Sequence, residues 1–383
     1  MKIPLFVLSC LFANVKMQKF GEFNFTSEWM IYTRDTYYSP MIAKVQESLI
    51  FVTFPLNFSI KLESSRLLGK PCEVPVPQIK KHRNKVVPVF AEGMGNDNVL
   101  VAVLEAKSKK EANFTNVWLY VIDPQKCTYD FTNIILDAPL IIAKNIINIV
   151  LYKDCFDFFL KSNVYCVPET ICNFRYGNDL TLLNDYQKLM LPYEDENWNL
   201  MTKKDFDASD GYLYMIMNTK LNSSVLRYYD SKLSQTRELR LNYDDSLVYW
   251  YDDDAGSAST CFRFSDQELE CMLLDGSMGI EVAVNLYYDS FLQYYSIIRL
   301  GSGEALVVTI LSNDPVGTYP VTYVQLINRL GEVSSPIKFQ EYVCENVFEI
   351  NTFKIREGLF CVSTTCSAVV NNKCIGPADQ LGF

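Results

Sequence analysis

The amino-acid sequence predicts an all-β fold. Short runs rich in Val, Ile, Tyr and Phe alternate with turn residues along the whole chain, which is the pattern of β-strands. Long amphipathic helical periodicity is nearly absent, and the best helical candidate is one short segment, residues 180–191. The strands recur in groups about 45 to 55 residues apart, the size of a four-stranded propeller blade. We therefore predict a single β-propeller of six or seven four-stranded blades, with seven favoured.

Each group begins with a strongly non-polar strand, which is followed by a second strand and then by a more polar one. Residues 49–55, 98–106 and 304–314 are the clearest non-polar strands. A strand that packs on both of its faces loses the alternation of polar and non-polar residues, so these segments should occupy the middle of each blade. The alternative is one or two β-sandwiches, which would not repeat the same triplet at so even a period.

Composition and charge restrict the function. The chain has 383 residues, of which 49% are hydrophobic, and this is enough for a large core. The formal net charge of −10 gives no electrostatic basis for nucleic-acid binding. The concentrated basic run, KKHRNK at residues 80–85, is interpreted as a solvated loop.

The N-terminus has the layout of a secretory signal peptide. A lysine precedes a non-polar run of roughly ten residues, too short to span a bilayer. We assign residues 1–18 to the signal peptide and 19–383 to the propeller domain, and expect a secreted, extracellular protein. An alternative interpretation takes residues 7–10, VLSC, as a bacterial lipoprotein box, although Leu8 is bulky where a small residue is preferred. Residues 138–152 are interrupted by Lys144, so no later membrane span is expected.

Glycosylation sequons and cysteines agree with export. The four sequons begin at Asn24, Asn57, Asn113 and Asn222. Cysteines in an oxidising compartment form disulfides. Cys261 and Cys271 flank a predicted tight turn, and Cys155 and Cys166 bracket a similar segment, so each pair should staple a hairpin. The pairing of the remaining cysteines stays open: Cys72, Cys127, Cys172, Cys344, Cys361, Cys366 and Cys374.

The sequence gives little support to common catalytic chemistry. The single histidine, His82, lies in the basic loop, so Ser-His-Asp and Cys-His mechanisms are poor candidates. Nucleotide-binding motifs are absent, and no cofactor is expected. The enzyme alternative is an isomerase or hydrolase that uses carboxylates and tyrosines at the propeller mouth.

Two acidic clusters are candidate binding sites. Residues 205–211, DFDASDG, begin like a calcium loop, which makes Asp205, Asp207 and Asp210 a weak calcium candidate. The other candidates surround a Tyr-Trp-Tyr run that could line the mouth: Tyr249, Trp250, Asp252, Asp253 and Asp254. Carboxylates beside aromatic rings suit a cationic aromatic ligand. Both clusters can also be read as acidic surface turns.

Landmarks along most of the chain resemble the insect yellow/major royal jelly family. They are, in order, SEWMIY, LIFVTFP, VLVAVLEA, VWLYVIDPQ and LFCVSTT. Leu56 stands where the family has an arginine, and Glu105 where it has an aspartate and a glycine. The resemblance implies a secreted six-bladed propeller that binds small biogenic amines in a central pocket or assists melanin-pathway chemistry.

Together these features predict a secreted, disulfide-stapled glycoprotein that acts by binding. Its partner would be a small aromatic or biogenic amine at the mouth, or an extracellular protein across one face. A factor of the saliva or venom type fits either version. Because propellers are scaffolds for both kinds of ligand, the fold alone does not decide between them.

Overall fold

The computed structural model is built entirely of β-strands over the residues that it describes. It describes residues 24–25, 29–32, 41–55, 59–64, 71–76, 85–106, 113–141, 147–160, 170–190, 198–203, 211–218, 223–230, 235–241, 248–252, 257–275, 279–300, 304–317, 319–341, 347–356, 359–366 and 369–376. The strands form seven antiparallel sheets, and in six of them four consecutive strands pair in chain order. We number these sheets as blades 1 to 7.

The first three blades occupy the N-terminal half of the chain. Blade 1 contains β3 (Met41–Val45), β4 (Ser48–Thr53), β5 (Ser59–Ser64) and β6 (Cys72–Pro75). Blade 2 contains β7 (Lys85–Gly93), β8 (Val99–Ala106), β9 (Asn113–Asp123) and β10 (Thr128–Ile141). Blade 3 contains β11 (Ile147–Leu151), β12 (Cys155–Leu160), β13 (Thr170–Gly177) and β14 (Leu182–Met190).

The next three blades repeat the same order. Blade 4 contains β15 (Trp198–Lys203), β16 (Gly211–Asn218), β17 (Ser223–Asp230) and β18 (Gln235–Leu241). Blade 5 contains β19 (Val248–Asp252), β20 (Ser257–Ser265), β21 (Glu268–Leu274) and β22 (Ile280–Tyr287). Blade 6 contains β23 (Phe291–Arg299), β24 (Ala305–Ser312), β25 (Val321–Ile327) and β26 (Ile337–Glu341).

Blade 7 joins the two ends of the described chain. Its C-terminal strands are β27 (Val347–Arg356), β28 (Leu359–Cys366) and β29 (Val369–Gly376). The outer position is taken by two short N-terminal strands, β1 (Asn24–Phe25) and β2 (Trp29–Tyr32), which both pair with β29. This closure removes an open edge at the end of the chain, a liability that β-proteins must manage.

Contacts between neighbouring blades run from blade 1 to blade 7 through their first strands: β3 with β7, β7 with β11, and onward to β23 with β27. The last contact, between blades 7 and 1, is a non-polar cluster in which Ile42 and Phe51 pack with Phe353 and Leu359. The seven sheets therefore form a closed ring whose first strands are innermost. The prediction of an all-β propeller is confirmed, with seven blades rather than the six that the family resemblance implies.

The core lies between the blades, as expected for a propeller. Every residue of β8 and of β24, the second strands of blades 2 and 6, is buried. One cluster joins blades 2 and 3, where Leu100 and Leu119 pack with Phe156 and Phe158. The prediction that the most non-polar strands occupy the middle of a blade is confirmed for the strands of blades 1, 2 and 6 that it named.

Backbones of the innermost strands approach closely at Gly93, the last residue of β7. A Cβ atom there would lie 1.7 Å from the carbonyl oxygen of Lys44 on β3. Any side chain would therefore require one of the two strands to move, so blades 1 and 2 can meet in this way only with glycine at this position.

Disulfides staple individual blades and also join neighbouring blades. Cys261–Cys271 links β20 to β21, as predicted, with a Cα–Cα distance of 4.0 Å. Cys361–Cys374 links β28 to β29 in the last blade. Cys72–Cys127 connects β6 of blade 1 to the β9–β10 turn of blade 2, and so joins neighbouring blades.

Two sequence predictions are wrong in blade 3. Residues 182–190 of the helical candidate form β14, which pairs with β13. The Cys155–Cys166 bridge is not formed, because Cys155 carries a thiol. In the pairing of β12 with β13, Cys155 lies opposite Gly177 and Leu160 lies opposite Cys172. The strand that pairs with β12 therefore begins later in the chain than the spacing of Cys155 and Cys166 indicated. Cys172 belongs to a disulfide, and Cys166 is outside the described residues.

Candidate functional site

The predicted mouth residues lie on the innermost strand of blade 5. Tyr249, Trp250 and Asp252 are in β19, opposite Thr260, Ser259 and Ser257 of β20 respectively. Asp253 and Asp254 are outside the described residues. The structure thus places three of the five residues on a strand next to the propeller axis.

The innermost strands of blades 4, 5 and 6 end in residues of both charge signs. Each blade begins with its innermost strand, so these strands all run in the same direction along the propeller axis. Their C-terminal ends therefore lie at the same mouth of the propeller. Asp252 ends β19, whereas the neighbouring strands β15 and β23 end at Lys203 and Arg299. Arg299 is buried and donates to Glu281 on β22 at 2.9 Å, so its charge is balanced by the neighbouring blade.

The calcium candidate Asp205, Asp207 and Asp210 lies outside the described residues, in the connection between β15 and β16. Within the described part of the chain, no group of three or more His, Cys, Asp or Glu side chains could hold a metal ion. Over the same residues, no helix is long and non-polar enough to cross a membrane.

The sequons fall in two kinds of place. Asn24 is in β1, opposite Gly376, and Asn113 begins β9, opposite Ile141. Asn57 and Asn222 are outside the described residues. Glycosylation at all four stays a prediction.

A buried ion pair in blade 3 was not predicted from the sequence. Asp157 on β12 accepts from Arg175 on β13 at 2.7 Å (Oδ1–Nε) and 2.8 Å (Oδ2–Nη2). The Tyr152 hydroxyl donates to the same carboxylate at 3.0 Å, and the Arg175 guanidinium lies 5.3 Å from the Tyr152 ring centroid. The hydrogen bonds to Asp157 raise the pKa of Arg175. The Asp157 carboxylate is fully buried and its partners lie within the blade, which indicates a structural role.

Glu105 of blade 2 is a second buried carboxylate with internal partners. It accepts from the Trp118 indole at 2.7 Å and from the Asn116 amide at 3.2 Å. Burial, together with the negative charge of Glu105, raises the pKa of the neighbouring Tyr120 phenol. The Glu105 side chain on β8 is therefore bound by two side chains of β9, Trp118 and Asn116, and stabilises the pairing of these strands.

Exposed non-polar side chains concentrate on blades 5 and 6. Tyr287 at the end of β22 is 71% exposed, and Val316 and Tyr319 in the β24–β25 turn are 79% and 80% exposed. The two regions are linked by a hydrogen bond from Ser290 to Asn313, which joins the β22–β23 connection to the β24–β25 turn. Large exposed non-polar side chains on neighbouring blades are typical of interaction surfaces. We name Tyr287, Val316 and Tyr319 the non-polar surface.

The non-polar surface was not predicted from the sequence, because its residues belong to separate segments of the chain. Val316 and Tyr319 follow the segment SNDP in the β24–β25 turn. The signal available in the sequence was the presence of bulky non-polar residues inside a turn rich in Ser, Asn, Asp, Pro and Gly, where polar side chains are usual.

No family model and no curated protein matches the chain. Among solved structures, the WD40 domain of SCAP from fission yeast is 9% identical, with a TM-score of 0.49; the match covers 94% of this chain and 100% of that one. A protein of unknown function from Dyadobacter fermentans is 10% identical, with a TM-score of 0.47 and coverage of 93% and 99%.

Prolyl oligopeptidase B from Galerina marginata is 8% identical with a TM-score of 0.43, over 74% of this chain and 40% of the oligopeptidase. This chain therefore spans less than half of that enzyme's length. The likenesses concern the fold alone, and the propeller assignment depends on the order of the sheets and the contacts between blades.

Proposed function

We propose that the protein is an exported propeller that binds another extracellular protein across blades 5 and 6. The observation that carries this proposal is the non-polar surface, where Tyr287, Val316 and Tyr319 are all more than two-thirds exposed. Turns held on a rigid scaffold are where binding residues usually occur. Aromatic side chains are enriched at the centres of protein interfaces because they bury a large area at low entropic cost.

Several features support export. The disulfides Cys72–Cys127, Cys261–Cys271 and Cys361–Cys374 require an oxidising compartment to persist. The N-terminal signal sequence and the four sequons add to this. Expression of the full chain in insect cells tests it: we expect the protein in the medium, beginning near residue 19 and losing mass on glycosidase treatment. Retention in the cells would contradict export.

Capture of a partner tests the binding role. The secreted chain is immobilised and incubated with extracellular fluid of the source organism, and we expect one stoichiometric partner. The variant Val316→Asp/Tyr319→Asp should lose it, because two carboxylates would be desolvated in the interface. The matched control is Leu182→Asp/Leu183→Asp, which changes two exposed leucines in blade 3 and should retain it. Equal capture by both variants, or no partner, would contradict the proposal.

A second candidate function is binding of a cationic aromatic ligand at the mouth. The observation that favours it is the position of Trp250 and Asp252 on an innermost strand. The resemblance to the yellow family points to small biogenic amines, whose ammonium group suits a carboxylate and an aromatic ring. Isothermal titration with serotonin, dopamine and histamine tests it. Tight one-to-one binding that is lost in Asp252→Ala and Trp250→Ala would support this function, and silence for all three amines would eliminate it.

A further inference from the structure

We infer that the outer edge of blade 5, strand β22, is a docking site for an extended, basic segment of the partner protein. The inference rests on the proposed function and names the element that the partner would use. Such a segment would add an antiparallel or parallel fifth strand to the blade, with its backbone hydrogen-bonded to β22.

The first reason is that most of β22, from Val282 onward, lacks the features that protect outer strands. Among the described strands, none pairs with its outer edge. It has eight residues, IEVAVNLY, with one charged side chain and no proline. Its pairing with β21 has a register shift at the start of the strand and is regular from Val282 to Tyr287. Natural sheets usually blunt such an edge with lysine, proline, a bulge or a short strand.

The outer strands of other blades carry those protections. β6 has four residues and ends in proline, and β26 has five residues with a lysine and a glutamate. β10 is interrupted by a register shift, and so is the pairing of β14 with β13. β18 reads QTRELRL, with three charges in seven residues. In β22, by contrast, the regularly paired residues 282–287 contain neither a charged residue nor a proline.

The second reason is that β22 offers different surfaces on its two faces. Val282 and Val284 are half-buried beside the β25–β26 turn, since a Cβ on Gly331 would lie 3.5 Å and 3.6 Å from their methyl carbons. An added strand would find non-polar neighbours on this face. Ala283 and Tyr287, on the opposite face, are exposed.

The third reason is charge, which determines the kind of segment. The face of Ala283 and Tyr287 is acidic, because Glu268 and Glu270 of β21 lie opposite Tyr287 and Asn285. Glu281, at the start of β22, is paired with Arg299 and adds little to this charge. Opposite charges on neighbouring strands stabilise pairing, whereas like charges destabilise it. The occupant should therefore alternate non-polar with basic residues. A second copy of this chain is disfavoured, because β22 would bring another glutamate and no basic residue.

A labelled synthetic peptide provides the test. The probe is an eight-residue peptide that alternates valine and lysine, titrated against the full-length secreted protein by fluorescence anisotropy. Three control peptides replace every lysine by glutamate, replace two valines by proline, or carry the β22 sequence itself. We expect micromolar binding of the valine–lysine peptide only, and slower hydrogen exchange of the β22 amides in its presence.

Variants on the edge locate the binding. Ala283→Lys should lower the affinity for the valine–lysine peptide about tenfold, because like charges repel, whereas Ala283→Glu should not lower it. The matched control, Asn133→Lys, adds the same charge to an exposed position on the outer strand of blade 2. Thermal melting confirms that all three variants fold.

Three results would overturn the inference: equal binding of the proline or glutamate peptide, tighter binding of the β22 peptide, or no difference between Ala283→Lys and Asn133→Lys. The proposed function is judged separately. If a partner is captured through the non-polar surface and Ala283→Lys still captures it, the binding role stands and the use of β22 is wrong.

Discussion

Removal of Arg175 should destabilise the protein strongly, because it would leave a buried carboxylate without its counter-charge. The Asp157 side chain is 0% exposed and that of Arg175 is 20% exposed. In Arg175→Leu the carboxylate would keep only the hydrogen bond from the Tyr152 hydroxyl among the contacts described above. Breaking a buried ion pair by removing one partner typically costs about 3–5 kcal/mol.

The expected change in melting temperature follows from the size of the chain. With an unfolding entropy of about 2.1 cal/mol/K per residue, the 383 residues give about 0.8 kcal/mol/K. A loss of about 4 kcal/mol then corresponds to a decrease in Tm of about 5 °C. Urea unfolding followed by tryptophan fluorescence measures the free energy, and calorimetry measures Tm.

A double-mutant cycle separates the ion pair from packing. Asp157→Leu/Arg175→Leu replaces both charges by non-polar groups and should recover most of the stability lost in Arg175→Leu. The control is Lys126→Met, which removes an exposed ion pair with Asp123 in which Lys126 is 78% exposed; it should cost less than about 1 kcal/mol. If Arg175→Leu costs no more than Lys126→Met, the argument from burial is refuted.

Three further predictions concern other parts of the ring. Gly93→Ala should lower stability by about 3 kcal/mol in urea unfolding, because its Cβ would overlap the Lys44 carbonyl oxygen; an unchanged midpoint would contradict the close approach. Cys72→Ser/Cys127→Ser removes a disulfide with a sequence separation of 55, and urea unfolding should show a loss of about 4 kcal/mol, because the unfolded chain gains entropy. Removal of the Cys261–Cys271 disulfide, with a separation of 10, should cost less, and an equal or larger cost would contradict the prediction. Hydrogen bonds from the Lys126 and Gln125 amides and from the Lys126 ammonium lower the pKa of Asp123. The stabilisation by its carboxylate is therefore lost as the pH falls below about 4, and the difference in Tm between wild type and Asp123→Asn should shrink there. A difference in Tm that stays constant with pH would contradict the lowered pKa.

The fold could be predicted because each blade is a local meander whose non-polar middle strand is visible in the sequence. The segments 98–106 and 304–314 that were expected to be buried contain β8 and β24. The number of blades was harder to determine, because the innermost strands are more polar and the outer strand of blade 7 is supplied from the N-terminus. Nothing in the sequence near Asn24 identifies β29 as its partner.

The cysteines show the limit of reasoning from spacing. Cys261–Cys271 was predicted correctly because its turn, at Asp266 and Gln267, is tight and lies midway between them. The Cys155–Cys166 pair looked similar, but the register of β12 and β13 pairs Cys155 with Gly177. Cys166 is midway between those two residues in the sequence. The length of a hairpin connection depends on tertiary packing, which spacing alone does not reveal.

For the candidate binding residues at the mouth, the structure gives the strand on which three of them lie. Tyr249, Trp250 and Asp252 were assigned to the mouth, and they lie on an innermost strand. The opposite charge at the ends of neighbouring strands, Lys203 and Arg299, depends on which strands are adjacent in the ring. The exposed edge of β22 likewise becomes meaningful only when the outer strands are compared with one another.

The pairing of β1 and β2 with β29 sets the order in which the molecule can be assembled. Blades 1 to 6 are each made of consecutive hairpins, so each can form as soon as its own segment has been synthesised. The strands made first have to wait for the strand made last, because Asn24 pairs with Gly376. Joining such distant segments carries a high entropic cost, so ring closure should be the late, slow step of folding. Until it occurs, the chain exposes an unpaired edge of β29 that neighbouring molecules could occupy, so a high local concentration during folding would promote swapped dimers.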